Sequence, residues 1–161
     1  MWSPALGIRN ISIRRLESDE AETLRDLMPQ LEDENPEAFD GGMNWSHSAA
    51  RIADKWTAEG NATFVAFEQG RPCGIAYVKM KDPDTACLST IGTLDAAPSG
   101  LGVELLDKVI EWACKRSAQQ IKGGTPASNA CVVPKFFKPQ GFRVTKQDNY
   151  EIIFARNLEC E

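Results

Sequence analysis

The chain has 161 residues, 42% of them apolar and 25% charged, enough for one domain with a full hydrophobic core. A net charge of −5 argues against broad binding to nucleic acid or to an anionic membrane surface, and no apolar run approaches the roughly 20 residues of a membrane helix. The opening "MWSPALGIRN" lacks the basic end, apolar centre and cleavage site of a signal peptide, while Cys73, Cys87, Cys114, Cys131 and Cys160 include no C-x-x-C pair and accompany a single histidine, which points to reduced thiols in a cytoplasm and to no metal site.

In "ISIRRL" (11–16), Ile11 and Ile13 alternate with Ser12 and Arg14, the pattern of a strand. Ser18 is placed to cap a helix whose apolar stripe is Ala21, Leu24, Leu27 or Met28, and Leu31. Pro29 is expected to kink or end it. "EDENPEAFDGGMN" (32–44) reads as an acidic loop. Ser46 is expected to cap a second helix, with Ala49, Ile52, Ala53 and Trp56 at helical spacing and Gly60 as its stop. "TFVAF" (63–67) and "GIAYVKM" (74–80) predict two strands joined by the turn "EQGR", and "ACLSTIGTL" (86–94) extends this antiparallel set.

"APSGLGVELL" (96–105) follows, with Gly100 and Gly102 opening the strongest helical pattern in the chain. Leu105, Leu106, Val109, Ile110 and Ala113 share one face; Glu104, Asp107, Lys108, Glu111 and Lys115 lie elsewhere, and the helix ends near Arg116. A short strand surrounds Ile121. "NACVVPKFFKPQGF" (129–142) reads as a short helix closed by Pro139 and Gly141, and "YEIIFA" (150–155) as a last strand. The order β-α-α-β-β-β-α-β-α-β-β predicts a single α+β (mixed α/β) domain over residues 1–161. Its mainly antiparallel sheet has one βαβ crossover, spanning the glycine turn.

A glycine turn that opens a helix leaves backbone N–H groups unpaired at the positive end of the helix dipole, where an anion binds readily. The same two glycines also suit close strand–helix packing. The dinucleotide fingerprint needs a third glycine and the nucleotide P-loop a Gly-Lys-Ser/Thr ending; both are absent.

"FVAFEQGRPCGIAYV" (64–78), "SGLGVELLDKVIEWA" (99–113) and "NACVVPKFFKPQGF" (129–142), in this order and spacing, together resemble the GNAT acyltransferase superfamily, over nearly the whole chain. "LEDENPEAF" (31–39) before an apolar helix adds to the resemblance. It implies a fold whose fourth and fifth strands splay apart and hold acyl-CoA, here acetyl-CoA as co-substrate. Its pyrophosphate would lie on Ser99, Gly100, Leu101, Gly102 and Val103, and its pantetheine arm along the strand ending at Leu94. Asn129 matches the asparagine that opens the next helix and helps hold the cofactor. Two positions depart from the family pattern. Ala97 stands where the turn usually begins with Arg or Gln. Phe137, among the cofactor-contacting positions, stands where a tyrosine often protonates the departing thiolate, and phenylalanine has no proton to give.

Acyl transfer to an amine needs the reactants held in line, the carbonyl polarised and a proton removed. Asp95 is the candidate base, with turn capping as its alternative role. Tyr77 and Tyr150 are the candidate acids, each also readable as strand packing with a satisfied hydroxyl. His47 reads as a surface residue, and Cys131 as a buried, inert thiol without a cation to activate it. Glu32, Asp33, Glu34, Glu37 and Asp40 form an acidic run that either is simply solvated or steers a cationic amine. Trp45 and Trp56 line the acceptor's path or pack the helix. The reading is a cytoplasmic acyl-CoA-dependent N-acetyltransferase acting on a small primary amine by direct attack in a ternary complex, with a homodimer as an open arrangement. The alternatives are a protein or peptide N-acetyltransferase, and a CoA-binding module that does not turn over.

Overall fold

A computed structural model describes residues 10–39 and 43–160. The N-terminal stretch read for a signal peptide, apart from Asn10, lies outside them, as does Asp40 of the acidic run. Strand β1 (Ile11–Arg15) precedes helices α1 (Ala21–Glu34) and α2 (Trp45–Trp56). Strands β2 (Asn61–Glu68), β3 (Arg71–Asp82) and β4 (Thr85–Thr93) follow, then helix α3 (Leu101–Lys115) and β5 (Gln120–Pro126). A run of short helical turns over 127–140 leads to β6 (Arg143–Gln147) and β7 (Glu151–Asn157). The strands form one seven-stranded sheet in the order β1-β2-β3-β4-β5-β7-β6. Only β4 and β5 pair in parallel among the described residues, joined by α3 as the predicted βαβ crossover. Gln69 and Gly70, with φ of 51° and 81°, make the two-residue β2–β3 turn that matches the twist of paired strands.

Each helix covers the sheet with the face its sequence predicts. Leu24, Leu27, Met28 and Leu31 of α1, with Ala49, Ile52 and Ala53 of α2, bury against Val65 and Ile75 on one side. Leu101, Leu105, Leu106, Val109, Trp112 and Ala113 of α3 bury against Ala76, Val78, Leu88, Ile121 and Phe154 on the other. No helix among the described residues is long and apolar enough to cross a membrane.

Several local expectations are corrected. Helix α1 is not capped by Ser18. Its N-cap is Glu20, whose carboxylate accepts the Glu17 N–H at 2.9 Å and both guanidinium nitrogens of Arg14 at 2.8 and 2.6 Å. The Arg14 guanidinium, aided by the Glu17 N–H, holds the Glu20 carboxyl below the usual range. Nor does Pro29 end the helix, because Leu27, Met28 and Leu31 are worth more buried than the interrupted ladder loses. The Gln30 amide also donates to the Asp26 carbonyl at 2.8 Å, beside the gap. The acidic stretch therefore starts inside α1: Glu32, Asp33 and Glu34 form its last turn. Helix α2 begins at Trp45 with Asn44 as N-cap, not Ser46. Residues 129–142 do not form one helix but 3₁₀, π and 3₁₀ turns at Ala127–Asn129, Val133–Phe137 and Lys138–Gln140, where two prolines interrupt regular bonding.

The cysteines need the largest correction. Cys114, near the end of α3, and Cys160, beyond β7, form a disulfide with Cα atoms 5.3 Å apart. Spacing rules cannot see such a pair, because the fold and not the sequence brings the two chain segments together. Cys73, Cys87 and Cys131 are free thiols, and Cys131 is exposed, not buried.

Candidate active site

Strands β4 and β5 share only four register positions, from Thr85↔Gln120 to Leu88↔Gly123. Beyond these, β4 stays with β3 as far as Thr93, while β5 stays with β7 as far as Pro126. The sheet therefore opens into a V, and β4 from Ser89 onward has a strand on one side only. Three cavities meet this opening, and one of them, about 600 Å³, lies across the splayed strands on Ser89, Gly124, Pro126, Asp148 and Tyr150. The outer cleft, about 420 Å³, lies between the α3 N-terminus, the end of β4 and the end of α1. The inner pocket, about 120 Å³, lies at the root of the V, where Leu88, Gly124, Thr125, Asn129, Phe137 and Phe154 meet.

The glycine turn forms one end of the outer cleft. Gly100 is the N-cap of α3, in the left-handed region at φ 89° with no side-chain cap, and a Cβ there would meet nothing within 4 Å. The Leu101 N–H bonds to the Pro98 carbonyl. Those of Gly102 and Val103 have no partner among the described residues, and they sit at the positive end of a 15-residue helix. Gly102 also gives room to Phe136: a Cβ there would lie 3.0 Å from Cε1 of that ring.

The far wall carries the opposite charge. Glu34 and Asp95 both line the outer cleft, and the Asp95 N–H donates to Glu34 Oε1 at 2.7 Å. Trp45 Nε1 donates to Glu32 Oε2 at 3.1 Å. None of Glu32, Asp33, Glu34, Glu37 and Asp95 has a cationic partner among the described residues. The remaining lining combines apolar Leu31, Phe39, Ile91, Val132 and Phe136 with polar Asn35 and Thr93.

The structure brings Asp95, Gly100, Gly102 and Val103 together in the outer cleft, and places Asn129 and Phe137 on the inner pocket. Asn129 is buried and donates to Thr125 Oγ1 at 3.1 Å. The Phe137 ring is 4% exposed and stacks on Phe154 at 4.1 Å between centroids. Other predicted residues line neither the outer cleft nor the inner pocket. Leu101 is in the core. The Leu94 N–H bonds to the Cys73 carbonyl and its C=O accepts the Ala97 N–H. Ser99 is exposed on the turn, and His47 is exposed on α2. Tyr150 lines the third cavity, beside the inner pocket, and Tyr77 lines none of the three. Tyr77 is buried and stacks on Trp56 at 4.7 Å, and its hydroxyl has no hydrogen-bond partner among the described residues, against the satisfied hydroxyl expected of it. Burial, and secondarily Cys87, raise its pKa. Tyr150, expected to pack, is 84% exposed at the turn before β7.

Sequence reasoning missed Asn35, Phe39, Ile91, Gly92 and Val132. One signal was available for Phe39. An isolated glycine inside a strand marks a close approach, and a Cβ on Gly92 would lie 2.5 Å from Cζ of the Phe39 ring.

The sequence matches no protein-family model and no curated protein. The fold, in contrast, is shared with many solved structures. An acetyltransferase of the GNAT family from Streptococcus pneumoniae is similar at a TM-score of 0.72 and 17% identity, over 92% of this chain and 99% of that one. PaiA N-acetyltransferase from Thermoplasma acidophilum, in complex with coenzyme A, is similar at 0.70 and 17%, over 92% and 99%. The ribosomal-protein-S18-alanine N-acetyltransferase from Escherichia coli is similar at 0.70 and 18%, over 94% and 96%. At such identities the likeness establishes architecture: the chain has the GNAT acetyltransferase fold.

Proposed function

We propose that the protein is an acyl-CoA-dependent N-acetyltransferase that acetylates the primary amine of a small molecule by direct attack in a ternary complex. The observation that carries this reading is the cleft, in which the one-sided edge of β4 runs from the uncapped N-terminus of α3 into the gap before β5. The residues present fit acyl-CoA. The unpaired N–H groups of Gly102 and Val103 suit a pyrophosphate, and the open backbone edge of β4 suits an extended arm with two amides. The cleft volume is that of a ligand site. A thioester brings an acyl group that is already activated, which limits what the protein must add. Glu34 draws a cationic amine by charge and Asp95 accepts its proton, and the apolar walls keep the site partly dry.

Tyr77 lines none of the cavities, Tyr150 lines only the third, and Phe137 cannot donate. Protonation of the leaving thiolate falls to water, a modest demand for a group that titrates near pH 8.5 in cysteine. The same observation favours a second reading, a CoA-binding module without turnover. The Cys114–Cys160 bond argues for a less reducing setting than the cytoplasm expected from cysteine spacing, since disulfides are rare there.

The test is thiol release from acetyl-CoA with a panel of small amines, amino acids and peptide N-termini, beside calorimetric binding of acetyl-CoA. Release with a small amine supports the transferase. Release with peptides alone moves the acceptor to protein. Binding without release supports the module, and absence of binding overturns the placement of acyl-CoA in this cleft.

A further inference from the structure

We propose that Phe39 determines the acyl-chain length the site accepts, admitting acetyl and excluding longer chains by closing the neck between the two cavities. The inference rests on the acyl-CoA reading of the cleft and goes beyond it to the identity of the acyl group. Asn35, Phe39, Ile91 and Val132 line both the outer cleft and the inner pocket, so the two spaces meet at these four residues. Ile91 lies in a strand and Val132 beside the turn at 133–137, and both are short and branched. Phe39 is the one large side chain of the four, and it comes from the segment after α1, not from the sheet. Its own N–H bonds to the Asn35 carbonyl at 3.1 Å, and its ring sits on Gly92, filling the space a Cβ would need there.

Geometry gives the neck its meaning. A ligand anchored by phosphate at Gly102 and Val103, and extended along β4, has its far end directed toward this neck and the root of the V. Behind the neck, the inner pocket is lined by Leu88, Phe137 and Phe154, with Ser89, Thr125 and Asn129 on its polar side, and past Ser89 and Pro126 it adjoins the third cavity. Its volume of about 120 Å³ compares with roughly 30 Å³ for a water-sized group and with the roughly 150 Å³ apolar cavity that holds benzene. Joined to the cleft, it has room for about four more carbons, the difference between an acetyl and a hexanoyl chain.

The experiment measures binding of acetyl-CoA and hexanoyl-CoA by calorimetry to the wild-type protein, Phe39→Ala and Phe39→Leu. The wild type should prefer acetyl-CoA at least tenfold. Phe39→Ala should raise the affinity for hexanoyl-CoA relative to acetyl-CoA tenfold or more, and Phe39→Leu, which keeps most of the packing, should fall between it and the wild type and serves if the alanine variant does not fold. Equal wild-type affinities, or a ratio unmoved in the folded variants, would overturn the role of Phe39 while leaving the acyl-CoA reading intact. Failure of the wild type to bind either ligand would overturn both.

Discussion

The backbone N–H of Asp95 donates to Glu34 Oε1 at 2.7 Å, tying the loop that leaves β4 to the last turn of α1 across 61 positions of sequence. The bond fixes a carboxylate at the cleft mouth against an unfavourable background. Glu32, Asp33 and Glu34 all stand at the negative end of the α1 dipole, with no basic residue in that turn. Such an arrangement lowers stability by a few tenths of a kcal/mol per charge, and a cationic ligand would relieve it.

Replacing the charges while keeping their shape separates these effects. Glu32→Gln, Asp33→Asn and Glu34→Gln together should raise stability by about 1 kcal/mol, since the dipole repulsion goes and the amide introduced by Glu34→Gln still offers an oxygen to the Asp95 N–H. The same triple variant should lower kcat/KM for a cationic amine in 0.1 M salt. The deficit should shrink in 1 M salt, where the screening length falls from about 10 Å to about 3 Å. Urea denaturation and steady-state kinetics at the two ionic strengths check both parts; a deficit independent of salt would assign the carboxylates to direct contact and not to steering.

At Gly102 binding should fall far more than stability. An aspartate in the first turn of α3 interacts favourably with the helix dipole, by about 0.3–1 kcal/mol. It also places a charge beside the unpaired N–H groups of Gly102 and Val103 and crowds Phe136, 3.0 Å from the new Cβ. Gly102→Asp should therefore melt no lower than about 2 °C below the wild type, yet bind acetyl-CoA at least tenfold more weakly, about 1.4 kcal/mol. Equal affinity in a folded variant would remove the anion from this turn.

Why some of this was legible in the sequence and some was not follows from the range of the forces involved. Period-3.6 stripes such as Leu24, Leu27 and Leu31, or Leu105, Val109 and Ala113, report burial directly, so the helices and their inner faces could be read. The glycine turn could be read because a left-handed N-cap such as Gly100 restricts residue choice. Boundaries failed where tertiary packing outweighed local preference, as at Pro29, or where an ion pair held the residue before the helix, as Arg14 holds the Glu20 carboxylate. Phe39 and Glu34 join the cleft through contacts with Gly92 and Asp95 that are remote in sequence, and the disulfide is remote in the same way. The pattern of a loop does not encode which strand it will touch.

Tyr77 offers a sharper separation of roles. Its hydroxyl is buried without a partner among the described residues, a state that destabilises by about 1–3 kcal/mol. Tyr77→Phe should stabilise the protein by about 1 kcal/mol and leave thiol release unchanged, because the ring faces Trp56 and not the cleft. A loss of turnover would instead restore Tyr77 as an acid. The pH dependence has a defined sign. Burial raises the Tyr77 pKa above its ordinary value of 10.0, so the native state holds the proton longer than the unfolded chain. The wild-type contribution is constant below about pH 10 and is lost as pH rises from there through the folded-state value. The phenylalanine variant should lack that component of the alkaline decline.

The Cys114–Cys160 bond joins residues 46 apart in sequence, and loop-closure entropy assigns it up to about 4 kcal/mol. Measured values for such bonds usually fall at about 2–4 kcal/mol, which for a chain of this length is a shift of about 5–15 °C in Tm. Reductant should lower the wild-type Tm by that amount and leave Cys160→Ala unchanged, so that the two converge. A thiol titration under denaturing, non-reducing conditions should find three free groups, those of Cys73, Cys87 and Cys131. Five would show that the bond does not form. The bond sits at the C-terminal end of α3, whose 15 residues span about 22 Å from the glycine turn. Reduction should accordingly leave acetyl-CoA affinity within twofold at a temperature where both forms are folded. A larger loss would mean that the staple positions the N-terminus of α3 as well as holding its end, and would link the redox state of two distant thiols to occupancy of the cleft.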